Sequence, residues 1–190
     1  MNVFLIGFRG CGKTEVGRGL AALLQREWID MDAELAQRMR ESIAEHVARC
    51  GWLSFRRAER SVLQELCART GLVVSTGGGV GADSENAAAM RRSGAVVWLC
   101  ASPETTLRRI EADPGSAVQR PPLRPGAERL DEIRTLLAER APAYAAACGW
   151  RIETDDLPVA EICRRIAAWL GSLEAGNCST ARLDKTKRFK

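Results

Sequence analysis

The chain is predicted to fold as one α/β domain, a parallel sheet with helices on both faces. Short apolar runs alternate with amphipathic helical stretches along its length, the pattern of repeated strand–helix units. At 190 residues there is chain for one compact domain and too little for a second full one. A hydrophobic share of 46% and a charged share of 27% suit a globular protein with a sizeable core. Strands are expected at 2–6, about 28–30, 71–76, 95–100 and 149–154. Helices are expected over 14–26, 42–49, 52–69, 84–93, 103–112, 127–141 and 158–170.

The first strand is the apolar "VFLI", which runs straight into a glycine loop. At four residues it reads as a strand and not a leader, and no segment approaches a membrane span. Gly7 to Thr14, "GFRGCGKT", fits G-x-x-x-x-G-K-S/T between a strand and a helix pattern, the context that makes this spacing a phosphate cradle. Glycines let successive backbone N–H groups turn towards an anion, and the positive end of the next helix adds to the field. Gly10, Cys11, Gly12, Lys13, Thr14 and Glu15 form the expected nucleotide-binding run. Lys13 is placed to reach the β- and γ-phosphates, and the Thr14 hydroxyl to ligate Mg²⁺. Such a loop fixes a triphosphate and a metal but no acceptor, since motors, GTPases and small-molecule kinases share it. The chain has no N-K-x-D run, so ATP is expected rather than GTP.

After the second strand, "WIDMDAE" puts Asp30 and Asp32 two residues apart at a strand's carboxyl end, where open α/β sheets bind ligands. If the backbone is still extended there, both point to one face, one towards a metal and the other towards an attacking hydroxyl. The alternative is a helix N-cap. "SIAE", Ser42 to Glu45, is a capping box. Phe55-Arg56 in "GWLSFRRAE" follows that short helix, and a lone helical arginine reads either as solvated surface or as a ligand. "VVSTGGGV" ends the third strand on three glycines, which signal either a close approach or a flexible turn. "ASPE" sets Ser102 at an N-cap and Pro103 at the first helical position.

Residues 113–126, "DPGSAVQRPPLRPG", contain four Pro and two Gly and read as a mobile lid. Arg120 lies in it, and Arg140 sits in "LAERAPAY" near a helix end. An arginine delivered by a closing loop can neutralise charge on a phosphoryl group in transfer.

The formal charge of +4 resides mostly in the tail, where five basic residues after Gly171 face two acidic ones. The rest is close to neutral and is no general polyanion binder. Residues 171–190 read as a disordered, solvated terminus rather than a nucleic-acid arm. Seven Cys, never spaced C-x-x-C, indicate free thiols in a reducing compartment rather than a disulfide framework or zinc site.

Taken in order, "GFRGCGKT", "IDMD", "SIAEHVARCGWLSFRRAE", "STGGG", "RPPL" and "ERAPAY" resemble the shikimate kinase family, over about residues 2–170. The resemblance implies a three-layer P-loop kinase fold with a five-stranded parallel sheet of order 2-3-1-4-5. It also implies a monomeric, cytoplasmic enzyme of aromatic amino acid synthesis that uses MgATP, with ATP and shikimate as its small-molecule partners. Lys13, Thr14 and Asp30 would then serve the phosphates and metal, and Asp32 would bind the acceptor hydroxyl and take its proton. Arg56 and Arg140 would clamp the substrate carboxylate, and Gly78 with Gly79 would meet the ring hydroxyls. Arg120 would be the lid arginine, and Arg109 the one that stacks on adenine.

Four residues depart from the family's usual pattern. Glu15 replaces a small hydroxyl residue and is expected to point outward, where its charge suits the helix dipole. His46, the one histidine, stands at an ordinarily apolar position and is expected to be a partly exposed helical residue. Pro122 is expected to stiffen the lid, and the thiol of Cys11 is expected to be incidental, since its neighbours act through backbone amides.

Overall fold

The computed structural model describes residues 1–113 and 129–175. Five strands form one parallel sheet: β1 Asn2–Ile6, β2 Glu27–Asp30, β3 Leu72–Ser75, β4 Gly94–Cys100 and β5 Trp150–Glu153. Their order is β2-β3-β1-β4-β5, the order implied by the family resemblance. Seven α-helices accompany them among the described residues: α1 Lys13–Leu24, α2 Met31–Met39, α3 Ile43–Cys67, α4 Ser84–Ser93, α5 Pro103–Glu111, α6 Arg129–Ala147 and α7 Val159–Glu174.

The period of two along a strand divides the core into two layers. In β1, Val3 and Leu5 point into the layer shared with Val16 and Leu20 of α1 and Ile162 and Ile166 of α7. Phe4 and Ile6 point the other way, towards Leu35 of α2, Leu63 of α3, Met90 of α4 and Tyr144 of α6. A third small cluster, Phe8 with Ile133 and Leu136, joins the phosphate loop to α6.

Register brings the chemistry to one edge. Leu5 pairs with Ser75, and Ser75 with Asp30, so the loops leaving β1, β2 and β3 emerge side by side at the carboxyl end of the sheet. This is the switch-point crevice of an open α/β sheet, because the chain leaving β1 crosses to β2 on one side and the chain leaving its neighbour β3 crosses to β4 on the other.

Three elements differ from the sequence expectation. Met31–Met39 is a helix, α2, which leaves Asp32 in a first helical turn rather than on an extended strand. The expected helix over 127–141 continues through Pro142 to Ala147. Proline there removes one donor, but Tyr144 and Ala147 are fully buried, and that packing carries the helix onward. Helix α7 reaches Glu174, four residues into the segment read as a tail. Most of the expected lid and the remainder of the tail fall outside the described residues, Arg120 and Pro122 among them.

Candidate active site

The phosphate loop is held open by its backbone. Gly10 and Gly12 have φ of 78° and 95°, left-handed values that glycine adopts without strain. Gly12 is the N-cap of α1, and no side chain caps that helix. Its first-turn amides are therefore available to an anion at the positive end of the helix. Lys13 is only 7% exposed, and its ammonium donates to the carbonyls of Gly7 and Phe8 at 2.9 and 2.8 Å. Its backbone carbonyl accepts from the Ser75 hydroxyl at 2.7 Å, which ties the start of α1 to β3.

Asp30 has two separate tasks. Its Oδ1 accepts from the amides of Asp32 and Ala33 at 3.0 and 3.3 Å, capping α2. Its Oδ2 accepts from the Thr14 hydroxyl at 3.0 Å. Of the two alternatives for this acidic pair the N-cap is realised, by Asp30, and the extended backbone is not; Asp30 and Asp32 nevertheless line the crevice together with Thr14.

Two adjoining spaces result. The larger, about 540 Å³, is lined by Gly10 to Val16, Asp30, Asp32, Arg109 and Thr154, with Leu157, Val159 and Ile162 as an apolar flank. That volume lies within the about 300–1,000 Å³ typical of small-molecule sites. Arg109 spans the loop and β5, donating to Gly10 O at 3.3 Å, Thr154 Oγ1 at 3.0 Å and Thr154 O at 2.7 Å. The smaller space, about 70 Å³, is lined by Phe8, Ile43, Trp52, Phe55, Arg56, Glu59, Gly78, Gly79 and Arg140. Arg9 and Asp32 line both, so they mark the passage between them.

Two glycines of the triple run, Gly77 and Gly79, now have a reason. A Cβ on Gly77 would lie 2.6 Å from Glu59 Oε1 and 2.9 Å from Asp32 Oδ1. One on Gly79 would lie 2.3 Å from the Arg56 guanidinium. Gly78 offers its carbonyl to the Tyr144 hydroxyl at 2.5 Å and to Arg140 Nη1 at 3.4 Å. Close approach, not a loose turn, explains Gly77 and Gly79.

Two arginines, Arg56 and Arg140, line the smaller space. The Arg56 guanidinium lies 5.3 Å from the Trp52 ring centroid and donates to Glu59 Oε2 at 2.5 Å. Arg140 lies 5.3 Å from the centroid of Phe8. Aromatic faces attract guanidinium groups and limit their rotation, which suits a fork meant for a planar anion. Glu59 is 1% exposed; burial pushes its carboxyl above the usual carboxylate range, against the opposing pull of Arg56. Burial likewise pushes the Tyr144 hydroxyl up to about 12, so it stays a donor.

Every proposed site residue among the described ones lines one of these two spaces. Sequence reasoning missed Arg9, Glu59, Tyr144 and Thr154. Arg9 occupies a variable slot of the loop motif, and Glu59 sits in "FRRAER", where one acid among bases looks solvated. Of the departures, Glu15 points outward and pairs with Arg18 at 3.4 Å, as expected. His46 lines neither space.

The family model for shikimate kinase matches residues 9–171. A shikimate kinase from Symbiobacterium thermophilum is 41% identical over 155 residues, covering 82% of this chain and 87% of the relative. The solved structure of a shikimate kinase from Acinetobacter baumannii in complex with shikimate superimposes with a TM-score of 0.82 at 34% identity, covering 94% of both chains. A gluconokinase from Sinorhizobium meliloti, 17% identical with a TM-score of 0.57 over 95% of this chain and 97% of its own, shares the fold alone. The phosphate loop, the paired carboxylates and the facing arginines therefore have a common explanation: the chain belongs to the shikimate kinase family.

Proposed function

We propose that the chain transfers the γ-phosphoryl group of ATP in line to the 3-hydroxyl of shikimate, giving ADP and shikimate 3-phosphate. The observation that carries this reading is the placement of Asp32 between a nucleotide-sized cleft and a small space flanked by Arg56 and Arg140. The two guanidiniums are suited to the substrate carboxylate, and holding it turns the ring hydroxyls towards Asp32. An oxygen–phosphorus bond forms at the 3-hydroxyl while the bond to the β-phosphate oxygen breaks, and Asp32 takes the hydroxyl proton. Loop amides and Lys13 receive the charge left on the departing ADP. Arg120 is assigned to the equatorial oxygens of the group in transfer.

Thr14 and Asp30, whose oxygens meet at 3.0 Å, are the hard oxygen donors suited to Mg²⁺. Bound there, the ion would neutralise charge on the triphosphate. Residues 1–170 are taken as the catalytic unit, acting as a monomer in the cytoplasm; among the described residues no helix is long and apolar enough to cross a membrane.

The test is ATP consumption by purified protein with Mg²⁺ and shikimate, gluconate or no acceptor. Shikimate-dependent ADP release with shikimate 3-phosphate as product is expected. Equal release with gluconate, or tight ATP binding without turnover, overturns the reading.

A further inference from the structure

Helix α3 is two rigid pieces joined at one residue. Gly51 has φ 76° and ψ 165° inside Ile43–Cys67, a conformation open in practice only to glycine. A Cβ there would meet nothing within 4 Å, so local packing at this residue does not set the angle of the bend. Yet the angle matters. The first piece carries Ile43, and the second carries Trp52, Phe55, Arg56 and Glu59, all lining the smaller space.

One side chain spans the bend. His46, on the first piece, places Nδ1 2.7 Å from Glu41 Oε1, in the turn before the helix, and Nε2 3.1 Å from Ser54 Oγ, on the second piece. A carboxylate can only accept, so Nδ1 carries a proton towards Glu41, and Nε2 makes the bond to the Ser54 hydroxyl. Arg49 donates to Glu41 from the other side, at 2.5 and 3.2 Å, which fixes the carboxylate that fixes the ring. The imidazole is 12% exposed, so water competes weakly for these bonds. Ser54 immediately precedes Phe55 and Arg56.

We propose that His46 is a positioning residue for the acceptor site: by bridging Glu41 and Ser54 across Gly51, it sets the angle at which α3 presents Trp52 and Arg56 to the substrate. His46 contacts neither reactant. It acts through the helix, and a lateral error of about 1 Å at a clamping group is enough to cost on the order of a hundredfold in productive binding or rate. The role in shikimate binding rests on the function proposed above; the bridge itself does not.

Two measurements on His46→Leu and Ser54→Ala separate these. Hydrogen–deuterium exchange, without any ligand, is expected to rise in both variants over about residues 50–57, the first turn beyond the bend. Steady-state kinetics are expected to show KM for shikimate raised about tenfold, with kcat and KM for ATP within about twofold. The double variant should be no worse than either single one, since both break one bridge. His46→Gln, which can still reach Ser54, should recover most of the loss.

Unchanged exchange in both variants removes the bridge. Faster exchange with unchanged KM for shikimate keeps the bridge and removes its positioning role. Parallel rises in both KM values mark general destabilisation and also overturn the proposal. Should His46→Leu fail to fold, Ser54→Ala, which deletes one hydroxyl, decides alone. A wild-type enzyme inactive on shikimate would count against the proposed reaction and leave the exchange result standing.

Discussion

Glu59 and Asp32 converge on the same point of the backbone, the Cα of Gly77, where a single methyl group would strike both carboxylates. They come from different helices, α3 and α2, and Glu59 pairs with Arg56 of its own helix at 2.5 Å. Two acids so close are given different work by their surroundings: Glu59 is buried and steadies Arg56, whereas Asp32 faces both spaces.

Asp32→Asn is expected to lower kcat by at least about a hundredfold, the usual scale for losing a general base, while ATP affinity changes little. Turnover on shikimate and calorimetric titration with nucleotide check the two halves separately. Near-native turnover would remove Asp32 from its role.

Arg140→Ala is expected to act on substrate affinity. A hydrogen bond to a charged group contributes about 1.5–3 kcal/mol, which corresponds to KM for shikimate rising roughly 10- to 150-fold. An unchanged KM would assign the carboxylate to other residues. The ATP dependence should be nearly unaltered, because Arg140 does not line the larger cleft.

Glu59 gives a prediction in pH. Its folded value is raised above the ordinary 4.5 by burial, so the folded chain holds this proton more tightly than the unfolded one. The associated stability is full below the unfolded value and is lost as pH climbs through the folded one. Urea midpoints of wild type and Glu59→Gln between about pH 4 and 8 should show the wild type losing ground to the variant as pH rises. A constant difference, or one that grows in the wild type's favour, would mean that Arg56 overcomes the cost of burial.

Tyr144→Phe removes the hydroxyl that donates to Gly78 at 2.5 Å. The loss is expected to destabilise the fold by about 1 kcal/mol, read from chemical denaturation. Gly78 retains Arg140 as a donor at 3.4 Å, so activity should fall less than in Arg140→Ala. A larger loss of activity would place the hydroxyl among the groups that orient the substrate.

Strands buried on both faces were the easiest elements to read. The residues of β1 and β3 are buried throughout, and such strands appear in sequence as unbroken apolar runs. By contrast β2, at the sheet edge, has no fully buried residue, and α2 begins on the same acidic residues that end it, so neither left a clean periodic signal. The phosphate loop was legible because its function is backbone geometry, which glycine spacing encodes directly. Glu59 and Tyr144 were not, since what distinguishes them is burial across the fold. Nothing local separates a buried glutamate from its exposed neighbours in "RRAER".

Asp30 holds the Thr14 hydroxyl with one oxygen and the amide of Asp32 with the other. The phosphate loop and the first turn of α2 are thereby gauged from one short side chain. A shift of the phosphate loop pulls on the turn that carries Asp32, so the two drift together instead of apart. Glutamate in its place would keep the charge and lose the gauge, and the register of β1, β3 and β2 alone would then have to keep the loop and the turn in step.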